Sequence, residues 1–246
     1  GRIGLPGGTE VVEGRDHWLF ERAYIKWAMR PQGYSQARAA SFADQAARLQ
    51  EALARRGIAF ALVLAPSKAE IMADRLPPDI TLPPRAPDGF YDRLAPALRA
   101  RGVALLDGPQ LFLNWKQADP GADLFPAGGV HWSTWAAWQV WRELAGLFRR
   151  QPGLADLPDS PVRERVWSRP LGADADLRNL LNLWHFEPGG PRPIAYPLVA
   201  PPPAPHQGRY AALVVGDSFA LTLIDAMCRS GLFRQIDLLY YFNRRL

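Results

Sequence analysis

The chain has 246 residues, 48% of them hydrophobic and 22% charged, with 29 basic side chains against 24 acidic and a formal net charge of +5. That balance belongs to one globular α/β domain of ordinary size, and excludes both a disordered chain and a miniprotein stapled by disulfides. One cysteine, Cys228, cannot form an intramolecular disulfide, and no apolar run approaches the ~20 residues that cross a bilayer. The basic side chains are mostly arginines scattered among acids. The pairs Arg55-Arg56, Arg149-Arg150 and Arg244-Arg245 fall at predicted element ends, so nucleic acid is not an expected partner.

In chain order, the spacing of Phe42, Ala46, Leu49 and Leu53 predicts an amphipathic helix over 35–56, stopped by Gly57. The continuous apolar run over 58–65 reads as a strand buried on both faces and closed by Pro66. The proline-rich stretch 76–87 is a loop. A helix over 90–101, interrupted near Pro96, leads through Gly102 into a short strand over 103–106 that ends at Asp107. Residues 134–150 form a further helix, and a second proline-rich stretch, 188–205, is again expected as loop. A strand over 210–215 breaks at Gly216 before a helix over 219–229 and a final strand over 236–240. Such alternation predicts a doubly wound parallel sheet. Only about forty residues follow the second proline-rich stretch, too few for a separate core, so 1–246 is expected to be a single domain.

The sharpest local feature is Gly216-Asp217-Ser218-Phe219, where a strand gives way to a helix at the carboxyl edge of the sheet. A serine there is a candidate nucleophile, with N–H groups of the helix start beside it to hold an oxyanion. The plainer reading is that Asp217 or Ser218 caps the helix. A serine hydroxyl needs a base, and there are four histidines. His131, in a glycine-flexed turn with Trp132 beside it, is the best placed. His185 lies in a loop, His206 among prolines and His17 near the chain start. Lys68 follows the strand that ends at Ala65-Pro66, and would contact an anionic sugar, fix a loop, or pair with Glu70 in solvent. Trp132, Trp135, Trp138 and Trp141 recur at a spacing that favours core, with Trp132 the exception kept for substrate stacking. The histidines share no ligand spacing with the cysteine or with paired carboxylates, so no metal site is expected.

Taken together, Glu13-Gly14-Arg15-Asp16-His17-Trp18-Leu19-Phe20, Ala65-Pro66-Ser67-Lys68, His131-Trp132-Ser133 and Gly216-Asp217-Ser218-Phe219 resemble, in order and spacing, the successive motifs of the alginate O-acetyltransferase family of AlgJ and AlgX. The resemblance implies an SGNH-hydrolase-like domain with its nucleophile motif late in the chain, as in a circular permutation of the usual order. It implies a periplasmic enzyme that acetylates an exopolysaccharide. Ser218 would carry the acetyl group, and His131 would activate first Ser218 and then the sugar hydroxyl. Lys68, Trp132 and Asp217 are the candidate substrate-binding residues. The acetyl donor would be delivered by a membrane-bound O-acyltransferase, no cofactor is expected, and a segment absent from this chain would anchor the protein to the inner membrane. With no segment resembling a carbohydrate-binding module, the AlgJ-like single-domain arrangement is expected.

One position departs from the pattern. The family has Asp-x-His-Trp, and here Gly129 stands where the aspartate that orients the histidine is expected. Asp107 and Asp123 are the candidate replacements, with Asp217 a third acid nearby, although each of the first two would equally well cap a turn. Three functions remain open: the acetyltransferase, an acetyl esterase with the same site, and a non-catalytic polysaccharide-binding or scaffold protein of an export complex, the last motivated by Gly129.

Overall fold

The computed structural model describes residues 10–29, 33–84, 88–159, 172–182 and 208–241 in full, and the backbone of 2–4, 162–167 and 194–199. The chain opens with an antiparallel sheet, β1 (Arg2–Gly4), β2 (Glu10–Glu13) and β3 (Leu19–Glu21), in that order, followed by α1 (Arg22–Met29). None of these was expected from the sequence, where the short strands carry little periodicity of their own.

Helix α2 (Gln36–Ala54) starts at Ser35, whose hydroxyl accepts the Arg38 N–H. Its inward face matches the expected one at Ala46 and differs at Phe42 and Leu49. Ala39, Ala43 and Ala46 are buried against α4 (Phe90–Ala100), while Phe42 and Leu49 are 43% and 51% exposed. Small side chains let the two helices approach closely, and that stripe wins over the larger apolar residues. Within α4 the helix runs unbroken through Pro96, which lies on the exposed side.

Strand β4 is limited to Leu62–Leu64 and is only half-buried, shorter and less enclosed than the apolar run suggested. The run starts outside the sheet because both backbone groups of Phe60 are taken by the Gln151 amide, at 3.0 and 2.7 Å. β4 pairs in parallel with β5 (Leu105–Asp107), and between them lie α3 (Lys68–Ile71), the loop and α4. Asp107 caps α5 (Gly108–Ala118), a helix unforeseen in the sequence; Gly108 fits because a Cβ there would stand 2.2 Å from the Leu64 carbonyl oxygen.

Helix α6 (Thr134–Arg149) is capped by Ser133 and buries Trp138, Trp141, Val140 and Leu144. β6 (Val162–Trp167) and β7 (Ile194–Val199) form an antiparallel ribbon. This corrects the expected loop over 188–205: Pro197 is accommodated because a two-stranded ribbon has only edge strands, where a missing N–H is tolerated. The rest of that stretch lies outside the described residues. α7 (Asp176–Leu180) lies between β6 and β7 in the chain. β8 (Tyr210–Gly216), α8 (Phe219–Arg229) and β9 (Phe233–Tyr240) then make a βαβ unit with parallel strands. The mixture of helices with parallel strand pairs is that of an α/β fold, with β4–β5 and β8–β9 hydrogen-bonded as separate pairs.

The main core joins Trp18, just before the first sheet's β3, Phe20 of β3, Phe112 of α5, the tryptophans of α6, and Phe219, Leu223 and Met227 of α8. It thereby locks the start of α8 against the start of α6. No helix among the described residues is long and apolar enough to cross a membrane.

Candidate active site

Gly216 ends β8 where a Cβ would come within 3.0 Å of the Ala220 side chain, so the strand-to-helix turn is tight. Ser218 stands at the N-cap of α8 with its side chain free of any capping bond. The capping falls to Asp217, whose Oδ1 accepts the Phe219 N–H at 3.0 Å and whose carbonyl accepts the Ala220 N–H at 3.1 Å. The Ser218 hydroxyl is thereby left out of the cap.

His131 Nε2 lies 2.7 Å from Ser218 Oγ. Its other ring nitrogen, Nδ1, lies 2.6 Å from Asp176 Oδ2. Phe219 presses on the imidazole edge-on at 4.9 Å, and the His131 and Asp176 side chains are only 16% and 29% exposed. A serine, a histidine and a carboxylate in a bonded line, with the carboxylate fixing the tautomer, is the arrangement of a nucleophilic triad.

The carboxylate is neither Asp107 nor Asp123. Asp107 accepts the Tyr91 hydroxyl at 2.9 Å, pairs with Arg99 and caps α5. Asp123 offers its backbone carbonyl to the Ser133 hydroxyl. Both serve local turn and helix geometry, and Asp176 stands against the imidazole instead. It is the first residue of α7, and its Oδ1 accepts the N–H groups of Val130 at 2.9 Å and Leu177 at 2.6 Å. The preceding turn is anchored by Asp174, fully buried, which accepts the Thr134 N–H at 2.9 Å, while Arg178 N–H reaches the Gly128 carbonyl at 3.0 Å.

This packing accounts for Gly129. A Cβ there would lie 2.7 Å from the Ala173 carbonyl oxygen and 2.8 Å from Pro126. The space that a side chain at this position would need is filled by the turn that delivers Asp176. Where the resemblance leads one to expect the acid two residues before the histidine, here it comes from a separate element, and the glycine is what lets that element close in. In the sequence the only trace was Asp174-Ala175-Asp176 at the head of a short apolar segment, a capping pattern.

The substrate roles expected of Lys68 and Trp132 are corrected. Lys68 is 2% exposed and donates to the carbonyls of Leu19, Pro126 and Gly129 at 2.7 Å each and of Ala127 at 3.2 Å, so of its three expected roles it neither meets a sugar nor pairs with Glu70 in solvent, and most of its bonds are to a loop. Its ammonium also lies over the Trp18 and Phe20 rings, at 5.1 and 4.9 Å. Burial pushes its pKa down to about 7, with Asp176 pulling the other way. Trp132 is 1% exposed, donates to the Thr222 hydroxyl at 2.8 Å and packs between Phe112 and Phe219, leaving no face for a sugar. Asp217 is half-buried, its Oδ1 in the helix cap and its Oδ2 3.4 Å from the Tyr241 hydroxyl. His17 is exposed and bonded to Glu13, and His185 and His206 lie outside the described residues.

Two groups beside the triad went unnoticed in the sequence. Burial raises the Glu21 pKa, His131 lowers it and Asp176 raises it. The Tyr24 hydroxyl is pushed up to about 12 by burial and by Glu21, Asp217, Tyr241 and Asp176. Among the described residues, groups of three or more side chains able to hold a metal ion are absent.

Residues 11–222 match the family described as SGNH hydrolase-like domain, acetyltransferase AlgX. The chain belongs to that family. Over 166 residues, 66% of its length, this AlgX-type domain is 30% identical to the probable alginate O-acetylase AlgJ of Pseudomonas aeruginosa, of which it spans 38%. Its fold resembles the O-acetyltransferase domain of Pseudomonas putida AlgJ, with a TM-score of 0.50 at 20% identity over 93% of this chain and 78% of that one. It also resembles Bacillus cereus PatB1 solved with a sulfonyl adduct, with a TM-score of 0.57 at 13% identity over 96% of this chain and 87% of that one. The AlgX-type domain therefore has the SGNH-hydrolase-like fold.

Proposed function

We propose that this chain is an exopolysaccharide O-acetyltransferase domain that works through an acetyl-serine on Ser218. The observation that carries the proposal is the continuous line Ser218 Oγ, His131, Asp176, bonded at 2.7 and 2.6 Å. In the first half-reaction His131 Nε2 takes the Ser218 proton as Oγ attacks the carbonyl carbon of an acetyl ester. The tetrahedral oxyanion faces the Ser218 N–H at the start of α8, since the Phe219 N–H is held by Asp217. Collapse breaks the bond to the donor alcohol, which leaves with the proton from His131. In the second half-reaction a sugar hydroxyl gives its proton to Nε2 and attacks the acetyl-serine, and the proton returns to Ser218 as the acetylated sugar departs. Asp176 keeps the remaining ring proton on Nδ1 and stabilises the imidazolium formed in each half-reaction.

The family's name and the alginate O-acetylase among its relatives support an acidic exopolysaccharide as acceptor; we further infer a periplasmic location and a membrane-bound O-acyltransferase as the source of the acetyl groups. We read 1–246 as one domain, with the nucleophile last in the order His131, Asp176, Ser218, as a permuted SGNH chain requires. The scaffold reading rested on Gly129 and loses its motive once Asp176 supplies the acid.

The test is acceptor partition. The protein is incubated with an activated acetyl ester, with and without uronate and neutral oligosaccharides, and acetylated sugar is separated from free acetate. Acetyl sugar that requires Ser218 supports the transferase. Acetate alone, at a rate indifferent to every sugar, would instead establish the esterase.

A further inference from the structure

Lys68 is a buried amine whose hydrogen bonds go to backbone carbonyls, and its location in the fold is specific. It opens α3, directly after β4, and its ammonium reaches two other places at once. One is the Leu19 carbonyl of β3, which lies between the buried residues Trp18 and Phe20. The other is the turn of residues 126–129, where three carbonyls converge on the same nitrogen. That turn ends two residues before His131. It also carries Gly129, against which the Ala173–Asp174 backbone rests, and Gly128, whose carbonyl holds α7 through the Arg178 N–H.

Backbone carbonyls that point inward to one place repel one another, and nothing but a multiple donor holds them there. An ammonium bonded to several carbonyls, with aromatic faces on its open side, is such a donor. An apolar side chain of similar length would fill the space and leave the carbonyls buried without partners, so the turn would relax away from it. The reacting atoms are sensitive to a shift of this kind, because both hydrogen bonds of His131 depend on where this turn lies.

Resting on the acetyltransfer reading above, we infer that Lys68 is a positioning residue of the triad: it fixes the 126–129 turn so that His131 meets Ser218 while Asp176 meets His131. It acts through His131, not on substrate. Its contribution falls on kcat, and the Michaelis constant is left alone because no part of Lys68 is open to a ligand.

The experiment is a double-mutant cycle on the whole chain. Lys68→Met and Lys68→Arg are made in the native sequence and in a His131→Ala background, and acetylation of Ser218 by an activated acetyl ester is followed per folded molecule, with unfolding curves recorded for each. In the native background Lys68→Met is expected to lower kcat by roughly 10- to 100-fold, the range for displacement of a catalytic group by about an ångström, with KM within about twofold. Lys68→Arg, which keeps charge and donors, recovers part of the loss. In the His131→Ala background Lys68→Met has no further effect. An equal loss in both backgrounds, or a folded Lys68→Met with full kcat, would overturn the assignment and leave Lys68 a residue of stability alone. Should Lys68→Met not fold, Lys68→Gln goes through the same cycle, and a loss independent of His131 there refutes it equally. Absence of any Ser218-dependent acetylation in the unmutated protein is a different result, and counts against the acetyltransfer reading itself.

Discussion

Replacing Asp176 by asparagine removes one charge and reverses one hydrogen bond, and the geometry says which. The Asp176 Oδ1 already accepts the Val130 and Leu177 N–H groups, at 2.9 and 2.6 Å. Asparagine keeps its oxygen there, because an amide nitrogen would face two donors. Its nitrogen is then turned toward His131 Nδ1, 2.6 Å away, and can only donate. The imidazole must accept at Nδ1 and so carries its proton on Nε2, the tautomer that cannot take a proton from Ser218. The lost charge adds to this. A carboxylate about 4 Å from the imidazolium centre, at an effective dielectric constant near 20, stabilises it by about 4 kcal/mol, roughly 10³-fold in rate. With the tautomer penalty the expected loss in kcat is ~10³- to 10⁴-fold, with KM little changed. The assay is Ser218 acetylation by a chromogenic acetyl ester, with Asp107→Asn and Asp123→Asn as parallel variants expected to stay within a few-fold of the native rate. If Asp176→Asn remains within about threefold of native while either of the others loses activity by orders of magnitude, the assignment of the acid is wrong.

Further consequences follow from the same packing. Gly129→Ala forces a methyl to within 2.7 Å of the Ala173 carbonyl, and calorimetry should show a loss of about 1–3 kcal/mol together with a fall in kcat; an unchanged melting curve would mean the Asp176 turn does not rest on this glycine. Trp132→Phe deletes the bond to Thr222 and is expected to cost about 1–3 kcal/mol in denaturant titration, with KM for an oligosaccharide acceptor unaltered; a raised KM would return Trp132 to the substrate site. Lys68 has a folded pKa of about 7, below the ordinary lysine value of 10.5, so between those values the unfolded chain binds the extra proton and stability rises with pH. The stability of the native protein relative to Lys68→Met should therefore be flat below pH 6 and grow from about pH 7 toward 10, by up to about 1.4 kcal/mol per pH unit. A difference that stays constant over that range would place the Lys68 pKa near its ordinary value.

The elements that were legible in the sequence are those whose ends are marked locally. Ser35 and Ser133 cap their helices through their own hydroxyls, and the apolar strand that breaks at Gly216 needs no distant partner to be recognised. The serine and the histidine could be singled out because each lies in a short motif at an element boundary. What failed depended on contacts between remote segments. Asp176 lies 45 residues beyond the histidine it touches, and its approach is licensed by a glycine whose role is visible only when the Ala173 carbonyl is in place. The surroundings of Lys68 are supplied by Leu19 and by residues 126–129, far from it in both directions, and a lysine on a predicted sheet edge reads as exposed until those carbonyls are seen. Its position beside His131 suggests a substrate role for Trp132, but the burial of its ring is decided by Phe112 and Phe219. The alanine face of α2 went unrecognised because hydrophobic spacing favours the larger side chains, whereas close packing on α4 favours the small ones.

The central claim, that Ser218 carries the acetyl group, is tested most directly by the intact mass of protein quenched during turnover of an activated acetyl ester, with fragmentation to locate the modification. The account predicts one acetyl increment on the peptide containing Ser218, absent in Ser218→Ala and accumulating far more slowly in His131→Ala and Asp176→Asn. Ester cleavage that continues in folded Ser218→Ala at the native rate, with no adduct on Ser218 in the native protein, would contradict it.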